Sequence, residues 1–216
     1  MTDTNLIFYS GPSRTGKSTL AKLEASENGF IFIETDIQSV LKQTLSSYKK
    51  FANKFLKDDG SVNYNALLKD CEPADNLAIH YTLFDHLHNL IDPCVKDKNN
   101  SYIFDRHYID VIAYSLLYAS FYYAGQYKDD LVEAEPIIEK KLINHLLDLG
   151  DYLVHNDYLN FNAIVHHTEI DLSKLAEQPT HPDPSKVGDI YSDHEVIDIL
   201  QEAFKTANVF LTEYNK

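Results

Sequence analysis

The chain has 216 residues, enough for one domain with a full core. Its 33 acids against 19 bases leave a formal net charge of −14, and no basic stripe breaks that excess, so a duplex nucleic-acid partner is disfavoured. Cys71 and Cys94 make neither a disulfide framework nor a zinc site, the N-terminus lacks a basic start with a long apolar region, and no run approaches a membrane span; a cytoplasmic protein with no membrane partner is expected.

The first element is the apolar run Leu6 to Tyr9, which reads as a buried parallel strand. Gly11-Pro12-Ser13-Arg14-Thr15-Gly16-Lys17-Ser18 follows it, matching the phosphate-loop pattern G-x-x-x-x-G-K-[ST], and a helix-like stretch from Thr19 to Glu24 comes next. Strand, glycine-bounded turn and helix are the context such a loop requires. Its backbone N–H groups and the positive helix end would cradle the phosphates of ATP. Residues 11 to 19 are therefore the candidate nucleotide site, with Lys17 reaching the β- and γ-phosphates and the Ser18 hydroxyl on Mg²⁺.

A second strand, Phe30 to Ile33, ends in Glu34-Thr35-Asp36. Asp36 has two readings: a carboxylate that meets an acceptor hydroxyl, or the cap of a helix over Ile37 to Leu41. Ile79, Leu83, Leu87 and Ile91 recur at helical spacing. His86 and His88 on that stretch, and His166-His167 later, lack a convincing ligand set. Tyr102 to Phe104 is the third strand, and Asp105-Arg106-His107 closes it. The tyrosine-rich stretch 114–127 reads as core and rim of a helix, and Phe161 to Val165 as a fourth strand. Residues 177–188 hold Pro179, Pro182 and Pro184, which excludes a helix interior or central strand; they read as a lid or as a plain surface connection. A capping-box signal, Ser192 with Glu195, opens a last helix whose apolar face carries Val196, Ile199, Leu200, Ala203 and Phe204. The alternation predicts a single α/β domain: a parallel sheet with helices on both faces, in the manner of a P-loop kinase with a lid loop.

Asp105 and Arg106 form the second constellation. At the carboxyl end of a parallel strand both side chains enter the crevice where α/β sheets bind ligands. The acid can hold Mg²⁺ or accept a proton, and the arginine can grip phosphate through two parallel hydrogen bonds. The alternative is a salt-bridged pair at a strand end. Among 17 lysines the chain has only two arginines, Arg14 and Arg106. Fixed positive charge on a migrating phosphoryl group is best supplied by arginine, so Arg14 is assigned to the transferring group and Arg106 to the acceptor phosphate.

With these residues together, the chain resembles the thymidylate kinase family of nucleoside monophosphate kinases. The loop resembles the subclass with an arginine in this loop and none in the lid, and residues 172–191 contain no arginine. Ile91-Asp92-Pro93, then Tyr102-Ile103-Phe104-Asp105-Arg106-His107, then Asp110 and Ala113-Tyr114 resemble the family run of I-x-P, strand, D-R-[YFH] and A-Y. The resemblance implies ATP-Mg²⁺ as donor and a deoxynucleoside monophosphate as acceptor. Arg106 would hold the acceptor phosphate, Asp105 would serve the metal, Tyr114 would pack near the deoxyribose, and Tyr81 or Phe84 would stack on the base. It also implies a possible homodimer. The chain departs from the family at the helix preceding I-x-P, where residues 76–92 hold no arginine, and at Ser13 and Asp110. Two other functions fit the same residues: a kinase of a nucleoside or another small hydroxylated acceptor, a modified base included, and a nucleotide-binding switch.

Overall fold

The computed structural model describes residues 6–12, 15–168 and 194–214. Ser13, Arg14, the expected lid at 172–191 and Ser192 of the capping signal lie outside the described residues. Four strands, β1 (Leu6–Ser10), β2 (Ile31–Ile33), β3 (Tyr102–Phe104) and β4 (Ile164–His167), form one parallel sheet in the order β2-β3-β1-β4. Helix α1 (Lys17–Asn28) joins β1 to β2. Helices α2 (Ile37–Ser47), α3 (Lys49–Phe55), α4 (Tyr64–Asp70) and α5 (Pro73–Lys96) lie between β2 and β3. Helices α6 (Tyr108–Gln126) and α7 (Leu131–His155) lie between β3 and β4, and α8 (His194–Tyr214) follows.

Alternation along β1 sorts its side chains into two cores. Leu6 and Phe8 join the large cluster built on α2 to α8, whereas Ile7 packs with Ile103 and with Ala21 and Ala25 of α1. The alanines let α1 lie close against the sheet. Phe8 also stacks on Phe104 with ring centroids 4.7 Å apart, and neither ring is exposed. Such fully buried aromatics contribute about 3–5 kcal/mol each when measured by truncation. The sheet is thus α/β with helices on both faces, as expected.

The order of the strands creates the crevice. The chain leaves β1 for β2 on one side of the sheet, and leaves β3 for β4 on the other. Loops after the adjacent strands β1 and β3 therefore diverge, and a cleft opens outside their carboxyl ends. Those two loops are 11–16 and 105–107, the two segments that carry the candidate chemistry.

Some elements differ from the sequence reading. β3 is buried throughout and β1 everywhere but at half-buried Tyr9; Ile31 of β2 and Ile164 of β4 are exposed, these strands lying at the ends of the described sheet. β4 lies three residues beyond the expected start, since Phe161 leaves the sheet to pack against Phe8 and Tyr108. Helices α3, α4 and α7 were not expected at all. For α7 the signal was present in Leu142, Leu146, Leu149 and Leu153, but Pro136 in its second turn masks it. No helix among the described residues is long and apolar enough to cross a membrane.

Candidate functional site

Two glycines shape the loop after β1. Gly16 sits at the N-cap of α1 with φ 81°, a left-handed conformation that a side chain disfavours. Its carbonyl accepts the first helical bond from Leu20. Gly11 has φ 146°, and a Cβ there would overlap the carbonyl and hydroxyl oxygens of Thr168, the residue after β4. The first turn of α1 contains no acid, so its free N–H groups face the loop without a competing negative side chain.

Lys17 is buried under this loop, only 4% exposed. Its ammonium donates to the Pro12 carbonyl and lies 3.4 Å from Thr15 Oγ1. Burial, aided by the nearby Arg106 cation, lowers its pKa from 10.5 to about 7, while Asp110 and Asp105 act in the opposite direction. An anion placed beside such a buried ammonium would favour its charged form and oppose the effect of burial.

Ser18, the next residue, turns toward β3. Its hydroxyl donates to Asp105 Oδ2 at 2.7 Å. The other Asp105 oxygen accepts from the Thr35 N–H at 3.0 Å and the Thr35 hydroxyl at 2.8 Å. The Thr35 carbonyl in turn meets His86 Nε2 at 2.7 Å, in a bond that makes this nitrogen the donor. A chain of hydrogen bonds thus runs from α5 through the end of β2 and the end of β3 to α1. Thr35 is buried, and its two donors fix the rotamer of the carboxylate. Both expected metal-binding residues, Ser18 and Asp105, are therefore in contact.

Arg106 points to the same loop. Its Nη1 is 3.3 Å from Asp110 Oδ1 and 3.5 Å from the Gly11 carbonyl. Asp110 Oδ1 also accepts from the Gly11 N–H at 3.3 Å, and Oδ2 accepts from the His107 N–H at 3.0 Å. This is a reciprocal cap at the start of α6, since His107 Nδ1 accepts from the Ile109 N–H. Burial holds His107 neutral, with a pKa lowered to about 3. Asp110, at a position where the chain departs from the family pattern, is thus the joint between Arg106, α6 and the loop.

The expected acceptor residues divide. Asp36 sits at the N-cap of α2, yet its side chain makes no capping bond. It is exposed and left-handed (φ 44°, ψ 40°), an unfavourable conformation for a residue with a side chain. Tyr114 is half-buried and meets Phe204 of α8 edge-on at 6.0 Å. Tyr81 stacks on Tyr152 of α7 at 3.9 Å, so one ring face is already covered. Phe84 has no exposed surface and packs edge-on against Tyr108 in the core, which removes it from reach of a base. The structure joins the loop, Asp105 and Arg106 into one cluster and places Tyr81 and Phe84 in the α5–α7 packing instead. Thr35, Asp110 and Thr168 are the contacts that sequence reasoning assigned no role. Thr168 carried no usable signal, because the expected strand stops at Val165 whereas β4 runs to His167.

No family model matches the chain, and no curated protein matches it.

Proposed function

We propose that the protein is a P-loop phosphotransferase of the thymidylate kinase type, moving the γ-phosphate of ATP to the phosphate of a (deoxy)nucleoside monophosphate. The observation that carries this reading is the 2.7 Å contact between Ser18 and Asp105 at the topological switch point, with Lys17 and Arg106 beside it. A loop serine bonded to a strand-end aspartate is what a Mg²⁺–nucleotide site needs. Mg²⁺ keeps several waters and takes few protein ligands, so Ser18 and Asp105 suffice to hold it; no group of three His, Cys, Asp or Glu side chains poised for a metal occurs among the described residues, and none is required. When bound, the metal would neutralise charge developing on the phosphates.

The chain's own groups do the rest. The α1 N-terminal amides and Lys17 bind and orient the donor phosphates. Thr35 holds Asp105 so that its second oxygen faces Ser18. Arg106, braced by Asp110, presents a fixed cation next to the loop, and Arg14 from the loop interior is the second cation of the proposed clamp. A monophosphate acceptor already carries its nucleophilic oxygens ionised, so this reading needs no general base.

Incubation with ATP-Mg²⁺ and a panel of nucleoside monophosphates tests the reading: at least one acceptor should yield a diphosphate, and absence of diphosphate from all of them would refute it. Asp36 favours a second acceptor class. An exposed carboxylate in a strained backbone, unused by its own helix, suits proton removal from a hydroxyl. A hydroxylated acceptor would make Asp36→Asn lose turnover while Arg106→Ala retained it; the monophosphate reading requires the reverse.

A further inference from the structure

The loop interior is anchored from a direction that neither the phosphate-loop pattern nor the strand-end acid explains. Thr168 stands immediately after β4. Its N–H donates to the Ser10 carbonyl at 2.8 Å, extending the β1–β4 ladder one residue beyond the strand pair. Its hydroxyl lies 2.7 Å from Thr15 Oγ1 and 3.2 Å from the Ser10 carbonyl. Thr15 Oγ1 is also 2.9 Å from the Pro12 carbonyl, the atom that takes the Lys17 ammonium.

Each hydroxyl has one proton and a carbonyl within reach, Pro12 for Thr15 and Ser10 for Thr168, so either can be the donor in the bond they share. In both arrangements the pair ties the end of β4 to Thr15 and, through the Pro12 carbonyl, to the place where Lys17 is held. The opposite wall of the contact is Gly11, whose missing Cβ makes room for the Thr168 carbonyl and hydroxyl. Thr168 therefore touches both ends of the loop, at Gly11 and at Thr15, from a rigid sheet edge.

We propose that Thr168 is a positioning residue for nucleotide phosphate: it fixes the loop at Gly11 and Thr15 against the end of β4 and thereby sets where Lys17 stands. It touches no substrate itself. A valine would keep the branched shape and lose only the hydroxyl; a serine would keep the hydroxyl and lose only the methyl. The nucleotide arm of the test rests on the phosphotransferase reading, whereas the loop arm does not.

Two measurements on the full chain decide it. The first is the Kd for ATP with Mg²⁺, together with the thermal midpoint without nucleotide. Thr168→Val should bind about tenfold more weakly, the loss of one half-buried hydroxyl, with its nucleotide-free midpoint nearly unchanged. Thr168→Ser should restore binding to within about twofold. A residue of merely structural importance would lower the midpoint and leave Kd alone, and that result overturns the proposal, as does a serine variant no better than valine. The second is amide hydrogen exchange over residues 10–16 without nucleotide. Exchange should be faster in Thr168→Val than in wild type and normal in Thr168→Ser. If wild type bound no ATP, the phosphotransferase reading would fall while faster exchange still supported the anchor; unchanged exchange in the valine variant would overturn the anchor whatever the nucleotide result.

Discussion

Two regions of this molecule bury polar groups, and they do so on opposite terms. Between α5, α6 and α7, Asn76 donates to the Ser115 carbonyl at 2.8 Å and accepts the Ser115 hydroxyl at 2.9 Å. The same hydroxyl meets His145 Nε2 at 2.9 Å, and His80 Nδ1 meets the Asn76 carbonyl at 2.8 Å. Burial keeps both imidazoles neutral, lowering His80 to about 3 and His145 to about 4. Every donor in that network finds an acceptor within it, and no member carries a charge at neutral pH. At the crevice, Lys17, Asp105, Arg106 and Asp110 bring two cations and two carboxylates together beside the loop after β1. A buried polar cluster is therefore not a site by virtue of burial. The crevice differs because its groups are ionic and converge from the end of β3 and the first turns of α1 and α6, with burial working against the charge on Lys17.

The largest expected effect separates stability from function at Lys17. Lys17→Met should lower phosphoryl transfer by about a thousandfold, the scale of losing a preorganised electrostatic group. The nucleotide-free protein should become more stable, because a desolvated cation is replaced by an apolar chain of similar length. Product formation and thermal unfolding read the two effects, and a variant that lost stability would place Lys17 in the same class as the α5–α7 network. The next effect is the pH dependence of that network. His80 and His145 in the network, and His107 at the cap of α6, have pKa values below the ordinary 6.5, so below pH 6.5 the unfolded chain binds protons that the folded chain refuses. The stability these histidines contribute is complete above pH 6.5 and is lost as pH falls toward 4, by about 1.4 kcal/mol per pH unit for each histidine. Denaturant unfolding between pH 6.5 and 5 measures it, above the range where ordinary carboxylates titrate. A flat profile there would mean that the imidazoles are not held neutral. Smaller still is Ser115→Ala, which strands Asn76 Oδ1 and leaves His145 without its partner; it should cost about 2 kcal/mol in urea unfolding and leave turnover per folded molecule unchanged.

The crevice was the more legible of the two regions. The loop pattern, Asp105 and Arg106 could be read directly, because phosphate chemistry demands particular residues at short spacings next to strands. The parallel sheet was legible for the same local reason: β1 and β3 are short apolar runs buried on both faces. The α5–α7 network was not, since Asn76, His80, Ser115 and His145 are brought together only by tertiary packing of three helices. Phe84 illustrates the limit. Its position on α5 suggested a base-stacking ring, yet helical phase alone does not say which side faces the core. Thr168 illustrates another, because a strand end misplaced by two residues hid the side chain that meets the loop. Asp110 was visible as a departure from the family pattern, but its role depends on the cap that orients it toward Gly11.

The smallest effect concerns the proton that distinguishes the crevice from the neutral network. Burial lowers the Lys17 pKa toward neutrality in the nucleotide-free protein, to about 7, so its ammonium is incompletely formed as pH rises past that point. A bound polyphosphate favours the ammonium, so binding should take up a fraction of a proton near pH 7, and more as pH rises. The sign follows: affinity for ATP-Mg²⁺ should weaken above pH 7, by at most about tenfold per pH unit. Titration calorimetry in buffers of different ionisation enthalpy measures the uptake directly. Lys17→Arg should remove it, because a guanidinium stays charged across this range even if it fits the loop less well. Equal uptake in that variant would assign the proton to another group and leave Lys17 an ordinary cation, while absence of uptake in wild type would show that the loop holds its ammonium fully charged before any phosphate arrives.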